Sequence, residues 1–148
     1  MPDAGPANVN LERLGGEEGI ERWVRRFYAL VGEEPLLAPM FHDLEQAREK
    51  QQAYFVEFFG GPKRYTERYG RAFLRFKHRK FRIGRPERDA WMRLAMQSLD
   101  EALRNAPAPL PQPEREALRA EVEHKLGAIA DGMINYDPER HDAYYFQR

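Results

Sequence analysis

Apolar residues recur at helical spacing in four separate stretches of the chain, and this feature constrains the fold more than any other. The first stretch follows Gly15-Gly16 and presents Ile20, Trp23, Val24, Phe27, Tyr28 and Val31. These offsets place the six side chains on one face of a helix. No run of alternating apolar and polar residues is long enough to predict a sheet. The pattern predicts an all-α domain with four substantial helices and one short, irregular helix.

Capping and turn residues set the expected bounds of the second helix. Asp43 is a suitable N-cap, and Gln46 stands in the reciprocal position three residues later. Gly60-Gly61-Pro62 should end this helix firmly. We therefore expect a helix from about residue 43 to residue 59.

Two further helices follow a less periodic stretch. Pro86 suits the first turn of one helix, and the stiff segment 106–113 separates that helix from the last one. Their expected inner faces comprise Trp91, Leu94, Ala95, Ser98, Leu99 and Ala102 in the third long helix, and Leu118, Val122, Leu126, Ile129 and Met133 in the fourth. The predicted organisation is an N-terminal tail over 1–10, a helical domain over 11–136 and a C-terminal tail over 137–148.

Composition excludes several classes of function. The 148 residues suffice for one domain, and 24 basic residues balance 24 acidic ones, so net charge indicates neither a nucleic-acid nor a membrane partner. The absence of cysteine excludes disulfides, thiolate metal sites and cysteine nucleophiles, and it fits a reducing cytoplasm. Residues 1–10 lack the pattern of a signal peptide, and no apolar stretch approaches the roughly 20 residues of a membrane span. We expect a cytoplasmic protein.

Four histidines are candidate metal ligands: His42, His78, His124 and His141. None is paired at the spacing of a zinc helix. Glu121 with His124 forms half of a di-iron bundle motif, but the second copy is absent, which favours a solvated helix face. No serine lies in a recognisable nucleophile setting.

His78 stands out because of its neighbours. Residues 63–85 contain ten basic side chains and one acid, Glu67, with five aromatic residues interleaved. A lone histidine can bind a metal that brings four ligands of its own, as haem does. Nearby cations would neutralise the propionates, and aromatic rings would cover the porphyrin. On these residues alone, an exposed histidine in a basic loop is the simpler interpretation, and a nucleic-acid groove is a second alternative.

Several strings in order along the chain resemble the truncated haemoglobins of the second group. They are Gly15-Gly16, Arg26-Phe27-Tyr28, Pro35-Leu36-Leu37 with Phe41, Gly60-Gly61-Pro62-x-x-Tyr65-Thr66-Glu67, Leu74-Arg75-x-x-His78-x-x-Phe81-x-Ile83 and Glu87-Arg88-Asp89-Ala90-Trp91-Met92. The match covers about residues 11–136. The resemblance implies a globin-like two-over-two helical sandwich, in which the stretch between Gly61 and His78 largely replaces a regular helix.

The resemblance also implies roles for individual residues. His78 matches the proximal ligand of the haem iron. Tyr28 and Trp91 match residues whose hydroxyl and indole N–H point at the bound gas, and Gln51 matches a residue above the iron. Further cofactor contacts are implied for Phe41 against the porphyrin, Ala47 at the ligand gate, Lys50 at a propionate, and then Phe55, Tyr65, Arg75 and Phe81. Without the resemblance, Tyr28 and Trp91 would be interpreted as core residues.

The expected function is that of a haem b protein that binds O₂, NO and CO. Hydrogen-bond donors around the bound gas favour redox chemistry with nitric oxide or peroxide over O₂ delivery, so NO dioxygenase or peroxidase-like activity is expected, with an unidentified electron donor. A haem-based sensor or interaction protein is one alternative, and a haem-free nucleic-acid-binding helical module is another. The sequence leaves the oligomeric state open, a homodimer included.

Overall fold

The computed structural model describes residues 10–139, and within that range every regular element is helical. Two 3₁₀ turns are present, Glu12–Leu14 and Ala38–Met40. The α-helices are α1 (Gly16–Val31), α2 (Leu44–Phe58), α3 (Arg64–Tyr69), α4 (Leu74–Lys77), α5 (Arg85–Arg104) and α6 (Gln112–Met133). The all-α prediction is confirmed. Most of both predicted tails, including His141, lies outside the described residues.

The start of α2 follows from the predicted cap. The Asp43 side chain accepts a hydrogen bond from the Gln46 backbone N–H at 3.0 Å, which satisfies one of the free amides of the first turn. At the other end, the Gly61 N–H bonds to the Val56 carbonyl at 2.8 Å and closes the helix. The local sequence thus fixes where α2 begins and ends, and with it the position of the Gln51 side chain.

The four long helices form two packed pairs around one core. α1 packs against α2, α5 packs against α6, and the two pairs meet through the contact of α1 with α5. The Trp23 ring centroid lies 4.7 Å from that of Phe55, and the Trp23 indole N–H donates to the Ala95 carbonyl at 3.0 Å. These contacts join α1, α2 and α5 into the predicted two-over-two sandwich.

Two glycines permit backbone contacts that a side chain would block. A Cβ at Gly19 would lie 1.9 Å from the Leu14 carbonyl oxygen, and one at Gly61 would lie 2.8 Å from the Val56 carbonyl oxygen. Both neighbours are backbone atoms and cannot move aside as a flexible side chain could. The first contact presses the turn before α1 onto that helix, and the second folds the chain tightly after α2.

The segment between α4 and α5 is held by Asn135, just after α6. The Asn135 side chain accepts from the Ile83 N–H and donates to the Phe81 carbonyl, both at 2.8 Å. The Asn135 backbone N–H also donates to the Ile83 carbonyl at 2.8 Å. Three hydrogen bonds therefore fix the short segment that follows His78.

None of the helices found in residues 10–139 is both long enough and apolar enough to cross a membrane.

Candidate functional site

A cavity of about 580 Å³ lies between the helices, a volume within the range of small-molecule and cofactor sites. All of the site residues predicted from the sequence line it except Arg75, which is exposed on α4. The predicted lining residues are Tyr28, Phe41, Ala47, Lys50, Gln51, Phe55, Tyr65, His78, Phe81 and Trp91. The fold therefore brings together side chains from α1, α2, α3 and α5 and from the segments after α4 and before α2.

Sequence reasoning did not assign several other residues of the cavity wall. They are Leu37, Met40, Tyr54, Leu74, Lys77, Arg79, Lys80, Ile83, Glu87, Arg88, Leu126, Ile129, Ala130 and Met133. The last four follow the helical offsets of one face of α6. That spacing is a detectable signal, but it predicts buried residues in general and does not separate a cavity wall from a packed core.

His78 follows the last turn of α4 and is partly buried at the cavity. Its Nδ1 lies 2.7 Å from the Leu74 carbonyl oxygen. Because a carbonyl can only accept, Nδ1 carries the proton, and in a neutral ring Nε2 keeps its lone pair. Histidines that bind metals commonly donate their other ring nitrogen to a carbonyl in this way. The arrangement prepares Nε2 to serve as a ligand.

A metal at His78 would have to bring most of its own ligands. Residues 10–139 contain no group of three or more His, Asp or Glu side chains that could hold a metal ion. A porphyrin iron meets this condition, because the macrocycle supplies four nitrogens and the protein needs to supply one imidazole. The donor set therefore fits haem better than a bare ion.

The buried hydroxyl of Tyr28 is a hydrogen-bond donor in the cavity wall. It donates to Gln51 Oε1 at 3.2 Å, and the residue is only 7% exposed. Burial raises the pKa of Tyr28 above its usual value, because the phenolate would lose its hydration. The hydroxyl therefore stays protonated well into the alkaline range.

The two tryptophans differ in how their indole N–H groups are used. The Trp23 N–H is bonded within the core to the Ala95 carbonyl. The Trp91 N–H makes no hydrogen bond to any residue of the described range, although the ring lines the cavity and lies edge-on to Phe27 at 5.4 Å. Trp91 can therefore donate to a molecule that occupies the cavity.

Cations surround one part of the cavity without carboxylate partners. Lys50, Lys77, Arg79 and Lys80 line it, and none forms an ion pair within residues 10–139. Lys77 Nζ instead donates to the Tyr65 hydroxyl at 2.9 Å. These side chains are suited to anionic groups such as the propionates of a haem.

Comparison with known proteins identifies the family. The family model for bacterial-like globins matches residues 10–125. A group 2 truncated hemoglobin of Bacillus subtilis is 37% identical over 86 residues, and this match covers 57% of the present chain and 65%, less than two thirds, of that protein.

Two solved structures are similar over a greater length. A hemoglobin of Chloroflexus aurantiacus is 37% identical with a TM-score of 0.73, covering 84% of this chain and 96% of that one. A group II 2-on-2 hemoglobin of Agrobacterium tumefaciens is 29% identical with a TM-score of 0.73, covering 93% and 100% of the two chains. The family implies a haem cofactor, which the cavity and its imidazole fit. The chain therefore belongs to the bacterial-like globins and has the 2-on-2 fold of the group 2 truncated haemoglobins.

Proposed function

We propose that this globin holds haem b with His78 as the iron ligand and binds O₂, NO and CO among Tyr28, Gln51 and Trp91. The hydrogen bond from His78 Nδ1 to the Leu74 carbonyl, 2.7 Å long, carries the proposal. It fixes the tautomer that leaves Nε2 able to bind iron, and it restrains the rotation of the ring. A protonated imidazole could not act as a ligand.

The remaining cavity residues would hold the cofactor in place. Aromatic rings of Phe41, Phe55 and Phe81 line the cavity and would cover the porphyrin. Lys50 and the hydrogen-bonded pair of Tyr65 and Lys77 would receive the propionates, because neither lysine forms an ion pair with a carboxylate of residues 10–139.

Arg75 is a weaker candidate for a propionate contact, because its side chain is exposed and lies outside the cavity lining.

Donors in the cavity wall favour tight binding of a polar diatomic ligand. When bound, haem would supply a redox-active iron for O₂ binding and for the oxidation of nitric oxide to nitrate, a reaction that needs one electron per turnover. The Tyr28 hydroxyl and the Trp91 indole N–H would each contribute about 1–3 kcal/mol through a hydrogen bond to the bound gas. Slow release follows, which suits redox chemistry with nitric oxide or peroxide better than O₂ delivery.

Ala47 bears on how the ligand enters. Its side chain is only a methyl group at the cavity wall, so entry past this position should not depend on the movement of a bulky residue. We propose that the protein works in the cytoplasm with an unidentified electron donor.

A matched pair of histidine variants tests the iron ligand. His78→Gly should lose haem or its normal Soret spectrum, and added imidazole should restore the spectrum because the small molecule replaces the missing ring. His42→Gly is the control, since His42 is exposed in a loop and does not line the cavity. Unchanged haem affinity and spectra in His78→Gly would refute the assignment.

Rapid mixing tests the reaction. The oxygenated protein, mixed with nitric oxide, should give one nitrate for each haem within the mixing time. Oxygenated protein that persists in the presence of nitric oxide would contradict the proposed redox function while leaving haem binding intact.

A further inference from the structure

The charges of this chain are segregated although its net charge is zero. Ten of its 24 basic residues and one of its 24 acidic residues lie between positions 63 and 85. This segment therefore carries a charge of +9, and the rest of the chain carries −9. Such a separation produces a field that can steer a charged partner towards one side of the molecule.

Most of the positive segment is not compensated by carboxylates within the described structure; Arg64, which pairs with Glu17 at 3.1 Å, is the exception. On the long helices, arginines such as Arg48, Arg93 and Arg119 form ion pairs with carboxylates. Between positions 68 and 85, by contrast, no basic side chain pairs with a carboxylate of residues 10–139. Six of these eight cations lie over aromatic rings instead, with the Arg79 guanidinium 3.7 Å from the Phe76 ring centroid.

Two exposed aromatic rings lie among these cations. Phe73 is 56% exposed and Phe76 is 61% exposed. An arginine lies over each ring, and the Arg71 guanidinium is 4.9 Å from the Phe73 ring centroid. Phe73 also has a φ of 43°, a left-handed conformation that is strained for a bulky side chain. Apolar rings with a charged rim are the arrangement of a protein-binding surface. We call Arg71, Phe73, Arg75, Phe76 and Arg79 the cationic face.

The cationic face adjoins the cofactor cavity. Arg79 belongs both to the face and to the cavity lining, directly after His78. Lys77, another lining residue, donates from Nζ to the Arg71 carbonyl at 3.2 Å and to the Tyr65 hydroxyl at 2.9 Å. A partner bound to the face would therefore lie beside the cavity, separated from its contents by side chains of a single segment.

We infer that the cationic face is the docking site of an acidic one-electron carrier protein that reduces the bound cofactor. The inference rests on the proposed function, because a haem that oxidises nitric oxide needs one electron per cycle. In the transfer, the carrier is oxidised and the cofactor is reduced by one electron, and no bond forms or breaks. The face is small, but transient redox complexes bury less than about 1,200 Å² and are steered by charge.

A nucleic acid fits the same charges less well. The two exposed rings could stack on bases, but both are already covered on one side by the arginines that would have to reach phosphates. Proximity to the cavity would also bring a nucleic acid no advantage, whereas it shortens the path of an electron.

Binding of a defined probe tests the proposal. The probe is an oxidised plant-type [2Fe–2S] ferredoxin, an acidic carrier, and its affinity for the haem-loaded protein is measured by surface plasmon resonance at 25 mM and 500 mM salt. Arg71→Glu should weaken binding about tenfold at low salt, mainly through slower association, and high salt should remove the difference. Phe76→Ser should raise the dissociation rate several-fold while association changes little.

Arg104→Glu is the matched control, because Arg104 is an exposed arginine at the end of α5 and its reversal alters net charge equally. It should change the affinity less than twofold. Equal affinities of Arg71→Glu and Arg104→Glu for ferredoxin would overturn the proposal. The proposal would also be overturned if a 20-nucleotide DNA single strand or phosphatidylserine vesicles bound the wild type more tightly than ferredoxin does, and if Arg71→Glu abolished that binding.

Failure of the docking proposal can be distinguished from failure of the proposed function. The Soret band and O₂ binding of each variant are recorded first, and Arg71→Glu should match the wild type because Arg71 does not line the cavity. A wild type without haem contradicts the proposed function. A normal Soret band with ferredoxin affinity insensitive to Arg71 contradicts docking alone.

Discussion

Replacement of Tyr28 by phenylalanine isolates one hydroxyl in the cavity wall. The ring should keep its edge-on contacts with Phe27, at 4.9 Å, and with Phe41, at 5.6 Å. The variant loses only the Tyr28 hydroxyl, which donates to Gln51 Oε1 at 3.2 Å; Tyr28 itself is 7% exposed. The variant therefore tests hydrogen bonding with little change in the shape of the cavity.

The expected effect on O₂ release follows from the strength of the hydrogen bond that the Tyr28 hydroxyl would donate to the bound gas in place of Gln51. A hydrogen bond to a partly charged group contributes about 1.5–3 kcal/mol, and each 1.4 kcal/mol is a factor of ten in a rate or equilibrium. Tyr28→Phe should therefore release O₂ about 10 to 100 times faster. The Gln51 carbonyl also loses its donor, so the free energy of unfolding should fall by about 1 kcal/mol.

Stopped-flow displacement of O₂ by excess CO measures the release rate, and urea unfolding measures the stability. Tyr69→Phe serves as the control, since that hydroxyl does not line the cavity and its variant should release O₂ at the wild-type rate. A release rate of Tyr28→Phe within twofold of the wild type would refute the reasoning. It would mean that the hydroxyl stays bonded to Gln51 when the gas is present.

Three further predictions rest on matched comparisons. Trp91→Phe should speed O₂ release about tenfold or more in stopped-flow measurements, because the Trp91 N–H has no partner in the described structure and can donate to the gas. Trp23→Phe should lower stability and leave the release rate unchanged, because the Trp23 N–H is already bonded to the Ala95 carbonyl. Gly19→Ala should destabilise the fold by about 1–3 kcal/mol, because its Cβ would clash with the backbone. Gly132→Ala in α6 should stabilise the fold by about 0.5–1 kcal/mol, because a Cβ there meets nothing within 4 Å. Urea titrations measure both changes. Burial raises the pKa of Tyr28, so above about pH 10 the unfolded state loses this proton before the folded state does. The free energy of unfolding should therefore fall there by up to about 1.4 kcal/mol per pH unit. Urea unfolding should show a smaller fall in Tyr28→Phe.

The long helices were predictable because their signals are local. The apolar stripe that begins at Ile20 and the Asp43 cap each depend on residues a few positions apart, and the structure places α1 and α2 accordingly. The family resemblance then supplied what local signals could not. It predicted which side chains would meet at one cavity, although their roles in holding a ligand are still predictions.

Other features depend on contacts between distant segments and could not be deduced from sequence patterns. Trp23 and Trp91 both lie on apolar helix faces, so only the position of the Ala95 carbonyl shows which indole N–H is already bonded. The short helices α3 and α4 lack a strong apolar period, and they are held by side-chain contacts such as that of Lys77 with Tyr65. Arg75 was predicted at the cavity from a motif, but its position on α4 turns out to be exposed.

The three hydrogen bonds of Asn135 couple the segment that follows α6 to the segment that follows His78. The match to the family model stops at residue 125, ten positions before this asparagine. A protein shortened to the matched region would thus lose both the clamp on Phe81 and Ile83 and the α6 side chains from Leu126 onward that close the cavity. The minimal unit able to retain a tetrapyrrole should therefore extend through residue 135, ten positions beyond the end of the family-model match.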